Sequence, residues 1–533
     1  MIVALLLFTL ALLALPLAEP HLFPHLVGFE PLLIAAGLYA LVERRIPFSL
    51  PDIKAPKRTS ALLIVAGMLL LFLFPMRRIA APPEGSGDSL WLVELLPLSA
   101  ELTGYWSSFD EILEPLMRSL SYRLISYLSG PDFSGFILFG ADISDSHVAG
   151  SLLLAGDFER IFLSLGLYSY VCGLIQLMAI VFFLRNRPLR SQIRGFLLLF
   201  CVPATQLFAG YIEHYAFSSM SITIILLLVR SDLDSASSVK LGAPRQAGLT
   251  GRFAPPIIAA LAALAVLHHL IAGFLLPGLI YYLWLRNGGN VRTFVKEASL
   301  SLLIALIALS AGWYLYFEVL QLTIAGSHLM HPPLLSLHKI VSSMNLVKIL
   351  FVLLLCAPAT FAFPSLLFRR SADAAEKVVA VIAFTYGLQL TIWNPVIGLP
   401  ADWDLLSVVA FPLHVLLFMR SEKTPDHIRL GSLAAVTLLP ALLWFQYNHR
   451  DDNEQARRAL QTAQAVLIEL KDDSHWTSLR SERKRELMLL HLFVEKSNGD
   501  RSKARSLLKR ARQAEDDRSY NEALDELRSI LAP

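Results

Sequence analysis

The sequence predicts an all-α polytopic membrane protein of about thirteen transmembrane helices, with one large outer loop and a small soluble helical domain at its C-terminal end. Three observations predict it. The chain is 55% hydrophobic and only 17% charged, with a mean hydropathy of +0.56, which is more than one water-soluble core can hold. Lys and Arg gather in alternate connections between apolar runs, as they do in proteins threaded through a bilayer. After Phe445 the composition changes: residues 450–533 carry 17 Lys/Arg and 16 Asp/Glu, so that segment is built for water. The formal net charge of +3 is too small to imply a nucleic-acid partner, and no basic patch is interleaved with aromatics. Cys172, Cys201 and Cys356 lie inside apolar runs and read as small core residues.

Two transmembrane helices are expected over 1–58. The run Ile2–Ala18 has no Lys or Arg before it, which favours an uncleaved first span over a signal peptide. A transmembrane domain follows over 59–446, including an outer loop over 77–159, and then the soluble domain over 447–533. The basic connections are Glu43–Arg58, Arg185–Arg194, Arg230–Arg252, Arg286–Lys296, Arg369–Lys377 and Arg420–Arg429. Placing them in the cytoplasm puts the N-terminus inside and the C-terminal domain outside. Glu19–Glu30, the large loop, Tyr211–Tyr215, His268-His269, Gln321–Asn345 and Trp393–Asp404 are then outer connections, with Arg77 and Arg78 the one exception.

Three crossing pairs look short. Arg194 to Arg230, Arg252 to Arg286 and Lys377 to Arg420 each leave roughly 16 residues per crossing, about 24 Å of helix, where a full crossing wants about 20 residues. The turns midway would then lie below the outer surface, where irregular backbone is tolerated only within protein or around a wet cavity. The spacing therefore predicts one recessed outer cavity fed by Gly210-Tyr211-Ile212-Glu213-His214-Tyr215, by His268-His269 and by Asp402-Trp403-Asp404. The inner halves of the spans read as plain. In the soluble domain, Leu460, Ala463, Val466, Leu467 and Leu470, then Leu487, Leu490, Phe493 and Val494, recur at helical spacing. The stretch 496–508 looks like the turn and second helix of a tetratricopeptide repeat, which would make this a TPR-like cap or a docking surface for a protein partner.

The candidate catalytic carboxylates sit in the outer loop. Asp88, just past a span, could serve as a general base or cap the helix that follows; Asp110 and Glu111 are its rivals, or else a solvated helix start. Glu114-Pro115 reads as a turn or a first helical turn, with helix-like apolar spacing at Leu113, Leu116, Leu120 and Leu124. Glu213 and His214 at membrane depth are costly unless used. His268 and His269 would point about 100° apart on a helix. Asp402 and Asp404 could line the cavity or cap the next crossing. His338 follows His331-Pro332-Pro333 in a segment able to order over a substrate. No Gly-rich nucleotide loop, HExxH or Ser nucleophile elbow is present. No ligand set is readable at metal spacing, so no cofactor is assigned; a divalent metal is compatible with the acids present.

Together Gly87-Asp88, the Glu114-Pro115-Leu116 region, Gly210–Tyr215, His338 to Asn345, Asp402-Trp403-Asp404-Leu405 and the domain after Phe445 resemble the GT-C superfamily of polytopic glycosyltransferases. Its relatives include protein O-mannosyltransferases, lipid A aminoarabinose transferases and oligosaccharyltransferases. The likeness covers roughly 62–445. It implies a bacterial inner-membrane enzyme that takes sugar from a polyprenyl-phosphate donor outside the cytoplasm with inversion. Asp88, or else Asp110 or Glu111, would deprotonate the acceptor hydroxyl. His268 or His269 with Arg118 would stabilise the departing phosphate, and Glu213, His214, His338, Asp402 and Asp404 would hold substrate. The chain departs from the family in two ways: two spans precede the one that enters the loop, and Asp88 is followed by Ser89 rather than a second acid. The rival readings are a transporter or flippase for a lipid-linked glycan, and an assembly scaffold.

Overall fold

The computed structural model describes residues 58–73, 157–211, 215–240, 253–315, 334–370, 373–393, 403–423, 429–448 and, but for 515, 501–531. Shorter pieces are described at 107–108, within 113–124 and at 324–325, and single residues at 56, 487 and 494. The two crossings expected before Arg58 lie outside these residues. Almost everything described is helical. The helices are α1 (Thr59–Leu73), α2 (Asp157–Leu184), α3 (Leu189–Leu199), α4 (Ala216–Lys240), α5 (Ala254–His268), α6 (Leu276–Arg286), α7 (Val291–Tyr314), α8 (Ser343–Cys356), α9 (Ala374–Ile392), α10 (Trp403–Ser407), α11 (Ala410–Glu422), α12 (Leu430–Asn448), α13 (Arg501–Arg512) and α14 (Asp517–Leu531). Five described segments are long and apolar enough to cross a membrane: Gly166–Leu184, Ala216–Ser235, Val291–Tyr314, Ala374–Ile392 and Leu405–Glu422. The shorter apolar helices Thr59–Leu73 and Ala254–His268 lie among them.

Local chemistry sets the helix starts. Asn290, Ser342 and Asp373 N-cap α7, α8 and α9 by accepting hydrogen bonds from backbone N–H groups two or three residues on, the favoured role of these side chains. Pro203, Pro255 and Pro277 stand in the first turns of a 3-10 helix, α5 and α6, where proline has no N–H to waste. The core is a continuous apolar mass in which Leu177, Ile225, Ile382 and Leu417, from α2, α4, α9 and α11, are wholly buried. By contrast α7 buries only Ser301, and Leu302, Leu303, Leu306 and Ile307 stay about half exposed. An apolar helix of that kind faces lipid.

The helices have two distinct ends. At one, the basic connections meet. Arg187 pairs with Glu422, Arg230 with Asp373 at 3.1 Å, and Arg286 with Asp232 at 2.7 Å. Arg420 donates to the Leu366 carbonyl at 2.9 Å and lies 3.5 Å from Glu376. At the other end, Tyr211, Tyr215 and His268-His269 lie together beside residues of the large loop. The alternation of basic connections in the sequence is therefore real sidedness in the fold. The sequence misjudged one thing here. Glu376 and Arg420 are inside the spans and nearly buried, so the basic end is not plain but closed by ion pairs.

All three short crossing pairs contain a broken helix. The ascent after Arg194 uses α3, of 11 residues, and then a 3-10 helix at Pro203–Phe208. The second pair turns through a 3-10 helix at Leu270–Leu275 between α5 and α6. The third pair is the longest, with 19 residues in Ala374–Ile392 and 18 in Leu405–Glu422, the second interrupted between α10 and α11. Its basic residues lie inside the helix ends, so the distance between Lys377 and Arg420 understated the crossings. Far along the chain, α13 and α14 pack as a helical pair on Ala504, Leu507, Leu508, Ala511, Tyr520, Ala523, Leu524 and Leu527.

Candidate functional site

The loop end is organised by Gly210. Its φ is +82°, a left-handed conformation that costs a residue bearing a Cβ about 1–2 kcal/mol. It also passes close to α2: a Cβ on Gly166 would lie 2.7 Å from the Gly210 carbonyl oxygen, and one on Gly210 would lie 2.7 Å from the Tyr170 hydroxyl. This close approach aims the next carbonyl, that of Tyr211, into the protein. Gly166→Ala should therefore lower stability by about 2 kcal/mol, because its neighbour is backbone and cannot swing aside. Gly387→Ala, which meets nothing within 4 Å, should be neutral or gain up to about 1 kcal/mol. Thermal unfolding of the two variants in detergent checks the contrast.

The Tyr211 carbonyl is the acceptor at the centre of a buried polar junction. Arg118 donates to it at 3.1 Å, to the Ser169 hydroxyl at 3.2 Å and to the Glu114 carboxylate at 2.9 Å. Ser169, on α2, donates to the same carbonyl at 2.5 Å. The guanidinium stands 5.5 Å from the centre of the Tyr168 ring, within cation–π range. Both Glu114 and Arg118 are fully buried. Burial pushes the Glu114 carboxyl up to about 7, against the pull of Arg118 and of the Ala216 N–H. One turn before Met117, the Leu113 N–H donates to the Leu267 carbonyl at the end of α5, 3.0 Å away. The loop segment is thus tied to α2, to the 211 turn and to α5.

His268 and His269 stand beside this junction. His268 stacks on Phe217 with centroids 3.8 Å apart and lies parallel to Tyr168 at 6.2 Å; His269 meets Tyr215 at 4.8 Å. The two do not share a helix as the sequence reading assumed: α5 ends at His268, and His269 turns to extended backbone with φ −159°. Their neighbours assign opposite tautomers. The His268 Nδ1 lies 2.8 Å from the Leu264 carbonyl, which can only accept, so Nδ1 carries the proton. The His269 Nδ1 accepts from the Ile271 N–H at 3.0 Å, so its proton is on Nε2 in the neutral ring. Both histidines are nearly buried.

The other connections at this end also converge. Tyr386 and Thr385 of α9 donate to the Ile271 and Phe274 carbonyls at 3.2 and 2.7 Å, Phe274 meets Trp393 edge-on at 6.2 Å, and the Leu335 N–H bonds the Ile392 carbonyl at 2.9 Å. Ser107–Ser108 of the large loop pairs in parallel with Ile324–Ala325 of a later connection. His338 is exposed in the short helix Leu337–Ile340, and Asp404 lies in α10. Asp88, Asp110, Glu111, Glu213, His214 and Asp402 fall outside the described residues. Among the described residues no three His, Cys, Asp or Glu gather at metal-ligand distance.

Arg118, which the sequence reading set beside a departing phosphate, donates here to Tyr211, Ser169 and Glu114. Ser169, Tyr168 and the Tyr211 carbonyl escaped that reading. Glu114 and Arg118, opposite charges four residues apart on a helix, were the one signal that pointed here.

No family model matches the sequence, and no curated protein matches it. Two solved structures are similar to the chain, both of ArnT from Cupriavidus metallidurans. The apo form has a TM-score of 0.43 at 12% identity, covering 88% of this chain and 75% of that one. The form bound to undecaprenyl phosphate has a TM-score of 0.39 at 14% identity, covering 90% and 76%.

Proposed function

We propose that the chain is a membrane glycosyltransferase of GT-C type that moves a sugar from a polyprenyl-phosphate donor to an acceptor hydroxyl at the loop end of the membrane domain. The observation that carries this reading is the meeting of the loop residues Leu113, Glu114 and Arg118, of Gly210, Tyr211 and Tyr215, and of His268-His269 in one junction. The first two of these belong to the segments on which the sequence resemblance rests.

In the proposed reaction a loop carboxylate takes the acceptor proton as the acceptor oxygen bonds to the anomeric carbon. The bond from that carbon to the phosphate oxygen breaks, and the lipid phosphate leaves from the opposite face. Asp88 is the first candidate base, and Asp110 or Glu111 the second. In sequence Asp110 and Glu111 precede Leu113 by three and two residues, and Leu113 is bonded to α5. Glu213, His214, His338, Asp402 and Asp404 are the proposed substrate contacts, and His268 or His269 is the proposed partner of the departing phosphate. The acceptor class is left to the assay.

Purified protein supplied with a panel of polyprenyl-phosphate sugars should transfer sugar. Asp88→Asn should lower turnover about a hundredfold or more while donor binding is kept. Turnover that survives Asp88→Asn but falls in Asp110→Asn or Glu111→Gln moves the base. Donor translocation across proteoliposomes without any transfer would replace this reading with the transporter.

A further inference from the structure

The loop segment within 113–124 buries the wrong side for an amphipathic helix. Its apolar residues Met117, Leu120 and Leu124 are 37%, 46% and 51% exposed, whereas Glu114 and Arg118 are completely buried. Apolar packing does not hold this segment, as far as its described side chains show. What holds it is Arg118, reaching the Ser169 hydroxyl of α2, the Tyr211 carbonyl and Glu114, together with the backbone bond from Leu113 to Leu267. Hydrogen bonds to a buried charge contribute roughly 1.5–3 kcal/mol each, and far more is lost when the remaining groups are left unpaired.

We propose that Arg118, oriented by Glu114, is a latch that docks the large loop on the membrane domain, and that it acts in transfer as a positioning residue, without touching substrate. The functional half rests on the transferase reading above; the docking half does not. Leu113, which the latch holds, follows Asp110 and Glu111 by three and two residues, and through that short stretch of chain the latch would bear on the candidate bases.

The test places cysteines at Leu113 and Leu267 in the full-length protein and leaves the buried native cysteines in place. Backbone atoms 3.0 Å apart bring the two positions within disulfide reach. Oxidative cross-linking should be efficient in this parent and fall by about tenfold or more with Arg118→Leu. Glu114→Gln, which keeps an acceptor for Arg118, should fall less. Arg118→Leu should lower kcat about tenfold or more with the donor Kd nearly unchanged, and turnover should return once the cross-link is formed. Unchanged cross-linking in Arg118→Leu overturns the latch. Turnover that stays low after cross-linking overturns the positioning role and returns Arg118 to direct contact with substrate. A parent that cross-links in an Arg118-dependent way but transfers nothing supports docking and overturns the transferase reading alone.

Discussion

Arg118→Leu should expose the backbone amides of the loop segment to exchange roughly a hundredfold faster, while the helices of the core keep their protection. The reasoning is local. Removing one partner of a buried pair typically costs about 3–5 kcal/mol, because the other charge is left unpaired. Here the lower figure applies, since the Glu114 carboxyl already stands near 7 and can take up a proton instead of remaining a bare charge. About 3 kcal/mol is a factor of roughly one hundred. It falls on the weakest-held unit of the junction, which opens without unfolding the rest. Glu114→Leu in the same chain should restore much of the protection, because an apolar pair leaves nothing to satisfy. Hydrogen exchange on the peptide covering Leu113–Arg118 measures both. A double variant no better protected than Arg118→Leu would show that the carboxylate is not what Arg118 balances.

The sign of the pH effect follows from the same group. Glu114 is raised from its ordinary 4.5 to about 7 in the folded chain. Between those values the folded state holds a proton that the unfolded state has released, so the contribution of Glu114 falls as pH rises through the window. The groups around it are Arg118 on its own segment, Tyr168 and Cys172 on α2 and the Ala216 N–H of α4. Glu114→Gln removes the titrating group and should flatten exchange protection of the loop segment between pH 5 and 7, measured against the intrinsic rate.

Much of the architecture was legible because hydropathy and charge act locally. An apolar run must find lipid or core wherever it sits, and Lys and Arg mark the ends of spans. That is why Arg187, Arg230, Arg286 and Arg420 fell together at one end and His268-His269 beside Tyr215 at the other. What could not be read was which charged side chains are buried. Glu376 and Arg420 looked like ordinary span ends, and only the fold shows that they face each other. Glu114 began a helix as its neighbour Pro115 suggested, but the apolar spacing at Leu113, Leu120 and Leu124 pointed to burial of the opposite face. The partners that reversed this, Ser169 and the Tyr211 carbonyl, arrive from far along the chain and carry no motif of their own.

The basic end offers the second large effect, through Asp373. Its carboxylate caps α9 by accepting from the Ala375 and Glu376 N–H groups at 2.8 and 3.2 Å. It also receives Arg230 at 3.1 Å and Lys423 at 2.8 Å, so one side chain joins α4, α9 and the end of α11. Burial alone would raise its pKa, but Lys423, Arg230 and the helix N–H outweigh it and hold the carboxyl below its ordinary 3.8. Lys423 is displaced the other way: burial would lower it, and Asp373 and Glu376 raise it above 10.5. The signs then fix a window. The Asp373 contribution is complete above its ordinary value and is lost as pH falls through the depressed one; the Lys423 contribution is complete below its ordinary value and is lost as pH rises through the raised one. Asp373→Ala should lower stability by about 2 kcal/mol, about 1 from the cap and about 1 from the part-buried pair with Arg230. Asp373→Asn keeps an acceptor for the helix and should lose only about half of that. Both should blunt the acid-side loss of stability, and Lys423→Met the alkaline side. Thermal unfolding in detergent across pH reads all three. Equal losses in the Ala and Asn variants would mean that the charge, and not the cap, holds this end together.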